Sequence, residues 1–274
     1  WWYDALVVGG DAYVDHPSFG TAVISRVLEA EGLRVAVLAQ PDWHDAEAFR
    51  AMGRPRLGVF IGAGNLDSMV AHYTAAKRRR SEDFYSPGKR TGCRPDRAAI
   101  VYCNRAREAF GPDMPIILGS LEASLRRFAH YDYWDDSVRR AILFDAPADL
   151  LVYGMGEAAT IEIAHRLKKK QSVRTMTDIP GTGYITRDPS VCKFDHITLP
   201  SFEDVRDDKR LYAEATRTEY AEHDPIRGRA MIQPCEGRYL IINPPAMPLD
   251  TKELDRVAGL PYTREWHPMY EPLG

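Results

Sequence analysis

No run of apolar residues in this chain approaches the ~20 that a membrane-crossing helix needs. No basic start, apolar stretch and small-residue cleavage site marks a secretory leader. The sequence opens Trp1-Trp2-Tyr3-Asp4 without Met and is expected to be part of something longer. Cysteine is scarce: Cys93, Cys103, Cys192 and Cys235 lie far apart, with no CxxC or CxxxCxxC spacing. That argues against a zinc knuckle or a local iron–sulfur loop and suits thiols kept reduced in a cytoplasm. Each is expected to serve as a small buried hydrophobe. A net charge of −3 points to no class of partner. Walker A, GxSxG and GxGxxG sequences are all missing, the last of which argues against a nicotinamide or flavin site. Internal repeats and low-complexity tracts are absent too.

What is present reads as an ordinary globular chain of 274 residues, 45% hydrophobic. Five short apolar runs, Ala5–Gly10, Arg34–Gln40, Leu57–Gly64, Pro115–Ser120 and Asp149–Gly154, predict buried strands. Helical spacing separates them: from Phe19, over Ala46–Met52, from Asn65 through Arg80, over Arg97–Phe110 and Trp134–Phe144, and from Gly156 or Glu157. The fold class is α/β, a doubly wound, mainly parallel five-stranded sheet of the flavodoxin-like kind, over residues 1–170. Residues 171–243 read as a small α+β extension with one charged helix (Phe202–His223) and a strand pair across Glu236-Gly237. Residues 244–274 read as a proline-rich strap or linker.

Ligands of open α/β sheets bind beyond the carboxyl ends of the strands. Those ends carry Gly9-Gly10, Gly62-Ala63-Gly64, Gly119-Ser120 and Gly154-Met155-Gly156, where glycine admits close backbone approach. Glu122 and Glu157 follow as first-turn acids, candidates by position. The connection Gly9–Gly20, "GGDAYVDHPSFG", is too long for a dinucleotide turn. It resembles the Asp-x-His-x-x-Gly loop of cobalamin-binding domains, in which an imidazole ligates cobalt and the acid orients it. Here His16 stands one place early and Pro17 fills the ligand position. His16 is therefore expected to point to the crevice or solvent without coordinating metal, Asp15 or Ser18 to cap the helix, and Phe19 to pack beneath the loop. The candidate cofactor-binding set is Gly9, Gly10, Asp15, His16, Ser18, Gly20, Gly62, Gly64, Gly119, Glu122, Gly154, Gly156 and Glu157. No catalytic residue and no metal ligand is assigned.

The motifs "GDAYVDHPSFG", "LAQPDW", "GAGNLDSMV", "RPDRA", "LEASLRRFAHYDYWDDSVRRAIL", "DLLVYGMGE", "NPPAMPL" and "LPYTREWHPMY" run in this order along the chain. Together they resemble the N-terminal part of the YgiQ-like radical S-adenosylmethionine proteins. The resemblance implies a cobalamin-binding-like α/β domain ahead of a radical core whose CxxxCxxC cysteines hold a [4Fe–4S] cluster. It implies that this chain stops short of that core, which would be its partner within one polypeptide, and that the cluster and S-adenosylmethionine are held there. Gly119-Ser120 departs from the two glycines common in such domains.

Two charged stretches stand apart. Lys77–Arg80 opens a basic region through Lys89, Arg90, Arg94, Arg97, Arg105 and Arg107, read either as a solvated helix end or as an RNA-contacting patch. "RRFAHYDYWDDSVRR" (126–140) reads either as a salt-bridged cover for the sheet edge or as a docking surface. A metal at His130, Asp132 and Asp136 lacks any known ligand spacing. Two functions follow: a cofactor- or substrate-placing domain of a radical enzyme, or a docking module that has lost cobalamin.

Overall fold

Near-continuous apolar strands need cover on both faces, which alternating helices supply. The structure, a computed structural model, describes residues 3–273. In chain order, β1 (Ala5–Gly9) leads to α1 (Gly20–Ala30), and β2 (Val35–Ala39) to α2 (Glu47–Ala51). β3 (Gly58–Ile61) leads to α3 (Ser68–His72) and α4 (Ala98–Phe110). β4 (Ile116–Leu118) leads to α5 (Ser120–Leu125) and a hairpin of β5 (His130–Asp132) and β6 (Ser137–Arg139). β7 (Leu150–Val152) leads to α6 (Glu157–Lys168). The five strands expected from the sequence pair in parallel in the order β2-β1-β3-β4-β7. This is the flavodoxin-like order, whose switch point lies between β1 and β3.

Successive strand residues face opposite sides. Leu6, Val8, Val59, Ile61 and Leu118 meet Phe49 of α2 and Tyr102 and Ala106 of α4. Val7, Phe60, Ile117 and Val152 meet Leu28 of α1 and Ile163 and Leu167 of α6. No helix among the described residues is long and apolar enough to cross a membrane.

The sheet continues past β7, whose open edge would otherwise expose unpaired backbone groups. It gains β8 (Thr182–Thr186), β9 (His196–Thr198), β10 (Ala230–Cys235) and β11 (Arg238–Ile242), becoming nine-stranded with β7-β8-β11-β10-β9 on that side. The β7–β8, β8–β11 and β11–β10 pairs are antiparallel, and β9 is parallel to β10. The β10–β11 turn at Glu236-Gly237 has both φ values positive, +50° and +71°, as a tight hairpin requires. The stretch expected as one charged helix divides into α7 (Phe202–Asp207) and α8 (Lys209–Ala221), because Asp208 is extended and its carboxylate accepts from Arg210 N. α9 (Thr251–Ala258) lays Val257 against Val23 and Val27 of α1.

Two helix expectations fail for local reasons. α3 stops at Tyr73, and the chain turns back so that Arg80 N donates to His72 O at 2.8 Å. Residues 134–144 form no α-helix: the Asp132 carboxylate accepts from Trp134 N (2.8 Å) and Asp135 N (3.2 Å), bending the chain into the β5–β6 hairpin.

Between α3 and α4 lies a long irregular segment, which persists only if something fixes it. Arg94, wholly buried, does so. Its Nε and Nη2 donate to Asp83 at 3.1 and 3.0 Å, and its Nη1 donates to Asp11 at 2.8 Å. Asp83 also accepts from Ser86 Oγ, which accepts in turn from Gln40 at the end of β2. The other Asp11 oxygen accepts from Asn65 N at 2.7 Å, so one guanidinium joins the exits of β1 and β3. The two glycines after β1 answer to this packing. A Cβ on Gly9 would press on Thr21, and one on Gly10 would overlap the Ala63 carbonyl. Gly10→Ala is expected to lower unfolding free energy by about 2 kcal/mol or more in urea titration. An unchanged midpoint would show that the β1 and β3 exits separate without cost.

Candidate functional site

The carboxyl ends of β1, β3, β4 and β7 enclose a crevice of about 360 Å³. Val7, Val8, Phe60, Ile61, Ile117 and Val152 form its apolar floor, with Val23 and Ile24 of α1 and Thr160 of α6 beside them. Its mouth is small or polar: Ser18, Gly20, Thr21, Gly62, Gly64, Gly119, Ser120, Gly154, Gly156 and Glu157. A Cβ on Gly20 or Gly154 would meet nothing, so the entrance is open there. Among the described residues the N-cap residues Phe19 of α1 and Gly156 of α6 make no side-chain cap bond, and Gly20 N at the start of α1 donates to Asn65 Oδ1 at 3.4 Å. The buried Oε2 of Glu157 has no hydrogen-bond partner among the described residues. A cavity of this size, apolar below with a few polar groups at the rim, suits a bulky ligand with an apolar body.

Eight residues of the candidate set line the crevice: Ser18, Gly20, Gly62, Gly64, Gly119, Gly154, Gly156 and Glu157. Gly9, Gly10, Asp15, His16 and Glu122 are outside its lining. Glu122 is buried where α3 and α4 begin, accepting from Ser68 N (2.9 Å) and Ala99 N (3.0 Å). His16 Nδ1 accepts from Ser18 N at 3.1 Å. The expected cap on α1 is absent: Phe19 holds the N-cap position without a side-chain bond, and its ring meets Tyr85 edge-on at 6.3 Å.

Asp15 is occupied elsewhere. Its carboxylate accepts from Arg26 Nε (3.1 Å) and Nη2 (2.5 Å) of α1, and from Thr263 N (2.8 Å) of the C-terminal strap. The strap lies along the loop: Asp15 N donates to Glu265 O, Arg264 N to Asp15 O, and Tyr13 N to Tyr270 Oη. The acid of the Asp-x-His-like loop therefore holds the strap. Arg26 and Thr263 carried no chemical signal in sequence, because only folding brings them to residue 15.

Burial disfavours the charged Asp15, but Arg26 and the Thr263 N–H outweigh it and hold its carboxyl below the usual carboxylate range. Lowered in the folded state, this group stabilises the strap above the ordinary carboxylate pKa, and that contribution is lost as pH falls through the folded value. Asp15→Asn is expected to speed hydrogen exchange and proteolysis across residues 260–270 at neutral pH. The wild type should show the same loosening only in acid. Equal protection of the strap in both proteins at neutral pH would refute the latch.

The later cations of the basic stretch, from Arg94 on, are engaged within the fold, while Lys77–Arg80, Lys89 and Arg90 are exposed. Arg94 is buried, Arg97 pairs with Asp132 (3.0 Å) and Asp135 (2.7 Å), Arg105 with Glu108 (2.8 Å) and Arg107 with Asp149 (2.9 Å). Within residues 126–140, Arg126 pairs with Asp67, Arg139 with Asp135 and Asp145, and Arg140 with Asp145 and Glu236. Burial pushes His130 down to about 4, so its ring is neutral at pH 7. No three His, Cys, Asp or Glu side chains among the described residues are grouped to hold a metal. Cys103 and Cys235 are buried, and Cys93 and Cys192 are half-buried.

The family model described as Radical SAM N-terminal matches residues 2–273. A UPF0313 protein of Clostridium botulinum is 54% identical over 271 residues, covering 99% of this chain and 42% of that protein. A UPF0313 protein of Clostridium perfringens is 52% identical over 271 residues, covering 99% and 41%. The chain thus spans 42% or less of the length of these relatives. Among solved structures, the radical S-adenosylmethionine methyltransferase TsrM of Kitasatospora setae, with tryptophan substrate and a SAM analogue bound, matches at TM-score 0.41. It is 20% identical, and the match covers 66% of this chain and 28% of that one. On a family match that runs through nearly all of its residues, this chain belongs to the radical S-adenosylmethionine N-terminal family.

Proposed function

We propose that this chain is the cofactor- or substrate-placing domain of a radical S-adenosylmethionine enzyme, and that its carboxyl-edge crevice takes a cobalamin-type ligand without a protein imidazole on cobalt. The observation that carries this reading is the crevice: a glycine-lined mouth opening onto an apolar slot between the sheet and α1 and α6. The residues present fit such a group in part. Apolar walls suit its buried portion, the hydroxyls of Ser18, Thr21, Ser120 and Thr160 suit its amides, and Glu157 Oε2 can accept a donated hydrogen bond. His16 does not fit as a cobalt ligand, being outside the lining with Nδ1 engaged.

A [4Fe–4S] cluster with S-adenosylmethionine supplies radical chemistry when bound, and such clusters are held by thiolates. The four cysteines here stand in no such spacing, so we assign cluster and S-adenosylmethionine to a further part of the same polypeptide. The strap held by Asp15 would then set the orientation of that part relative to the crevice. We further infer a cytoplasmic setting from the widely spaced, unpaired cysteines. The same latch favours a second reading, a docking module that has given up its cofactor and uses the old ligand loop as a clamp.

The test is cobalamin titration into the intact protein, followed by the visible spectrum, with His16→Ala and Gly20→Phe beside the wild type. Wild type and His16→Ala are expected to bind alike. Gly20→Phe, at a position with open space, should keep the melting temperature and lose about tenfold or more in affinity. Loss of an imidazole-ligated spectrum in His16→Ala would overturn the ligand assignment. No binding by any of the three would leave the docking module as the reading.

A further inference from the structure

We propose that the face formed by the loop after α3 and the tip of the β5–β6 hairpin binds a single-stranded polynucleotide. In sequence, Lys77–Arg80 has no aromatic residue interleaved with its cations. Folding supplies them. The tip of the hairpin is brought against the loop, where Tyr133 Oη donates to Ala75 O at 2.6 Å and Lys77 Nζ donates to Trp134 O at 3.3 Å. Trp134 lies 5.3 Å from both the Tyr73 and the Tyr133 ring. Lys77 sits 4.8 Å above Tyr133, and the Arg79 guanidinium 5.7 Å from Tyr73. Farther along the same loop, Lys89 sits 5.1 Å from Phe84, whose ring is 74% exposed.

The charge matches a polyanion. Lys77, Arg78, Arg79, Arg80, Lys89 and Arg90 are all exposed. The acids nearby are mostly engaged: Glu82 lies 3.9 Å from Lys89, Asp135 pairs with Arg97 and Arg139, and Asp136 accepts from Tyr131 Oη. Cations that follow a backbone, beside exposed rings on which bases stack, are the means by which single strands are bound without sequence preference. A duplex keeps its bases stacked inside and leaves such rings idle. An acidic polypeptide meets the cations but offers no bases to the rings. This surface is separate from the crevice, and none of its residues lines it.

The test is fluorescence anisotropy of the intact protein with labelled oligouridylate, oligothymidylate and an RNA duplex, across a range of salt. Binding to a single strand is expected to exceed binding to the duplex, and the RNA and DNA arms identify which strand is preferred. Tyr133→Ala should weaken single-strand binding about tenfold. Tyr133→Phe keeps the ring, loses the bond to Ala75, and should bind as the wild type does, which separates stacking from loop support. Arg79→Ala should reduce the slope of log affinity against log salt by about 0.7. Equal binding of duplex and single strand, displacement of the oligonucleotide by polyglutamate of matched charge, or Tyr133→Ala and Arg79→Ala variants that bind like the wild type would overturn the proposal.

Discussion

One buried guanidinium organises the functional edge of this domain. The Arg94 side chain is fully buried and contacts Asp83 through two nitrogens and Asp11 through a third. A charge so placed is tolerable only when paired and hydrogen-bonded on every side. Meeting that demand draws together the exit of β1, the turn after β3 and a long loop that has no regular structure of its own. Gly10 and Gly64 follow from the same constraint: a Cβ on Gly10 would meet the Ala63 backbone, and one on Gly64, at φ +107°, would meet the Asp11 carboxylate.

The consequence is a division of labour in the loop after β1. Its two acids are both structural, Asp11 toward Arg94 and Asp15 toward Arg26 and the strap. Its later residues, Pro17 to Thr21 except Phe19, turn to the crevice. Strap contacts and crevice lining therefore lie within one short segment, Tyr13 to Thr21.

The sequence made the sheet legible because its signal is local. Five apolar runs, each bounded by glycine or a polar turn, became five parallel neighbours in flavodoxin-like order. The crevice edge was legible for the same reason, since strand ends locate it. What could not be read depends on partners far away in the chain. Glu122 reads in sequence as a first-turn acid near a ligand, whereas it accepts from Ser68 N at the start of α3 and from Ala99 N, the second residue of α4. Arg94 looked like one cation of a basic patch, because nothing near it shows that Asp11 lies 83 positions away in sequence and within 2.8 Å in space. Trp134–Phe144 has helical spacing, yet its first half forms the hairpin because Asp132 works through an Asx-type turn, which apolar spacing does not report.

The central claim is that the acids of the first loop are consumed by structure, Asp11 by the buried Arg94 and Asp15 by Arg26 and the strap. Urea unfolding at neutral pH tests it most directly, comparing the wild type with Arg94→Met and with Arg94→Met/Asp11→Asn/Asp83→Asn. Losing the guanidinium alone should cost about 3–5 kcal/mol, because two buried carboxylates are left uncompensated. Neutralising both should recover a large part of that loss. An Arg94→Met protein as stable as the wild type to within about 0.5 kcal/mol would contradict the account.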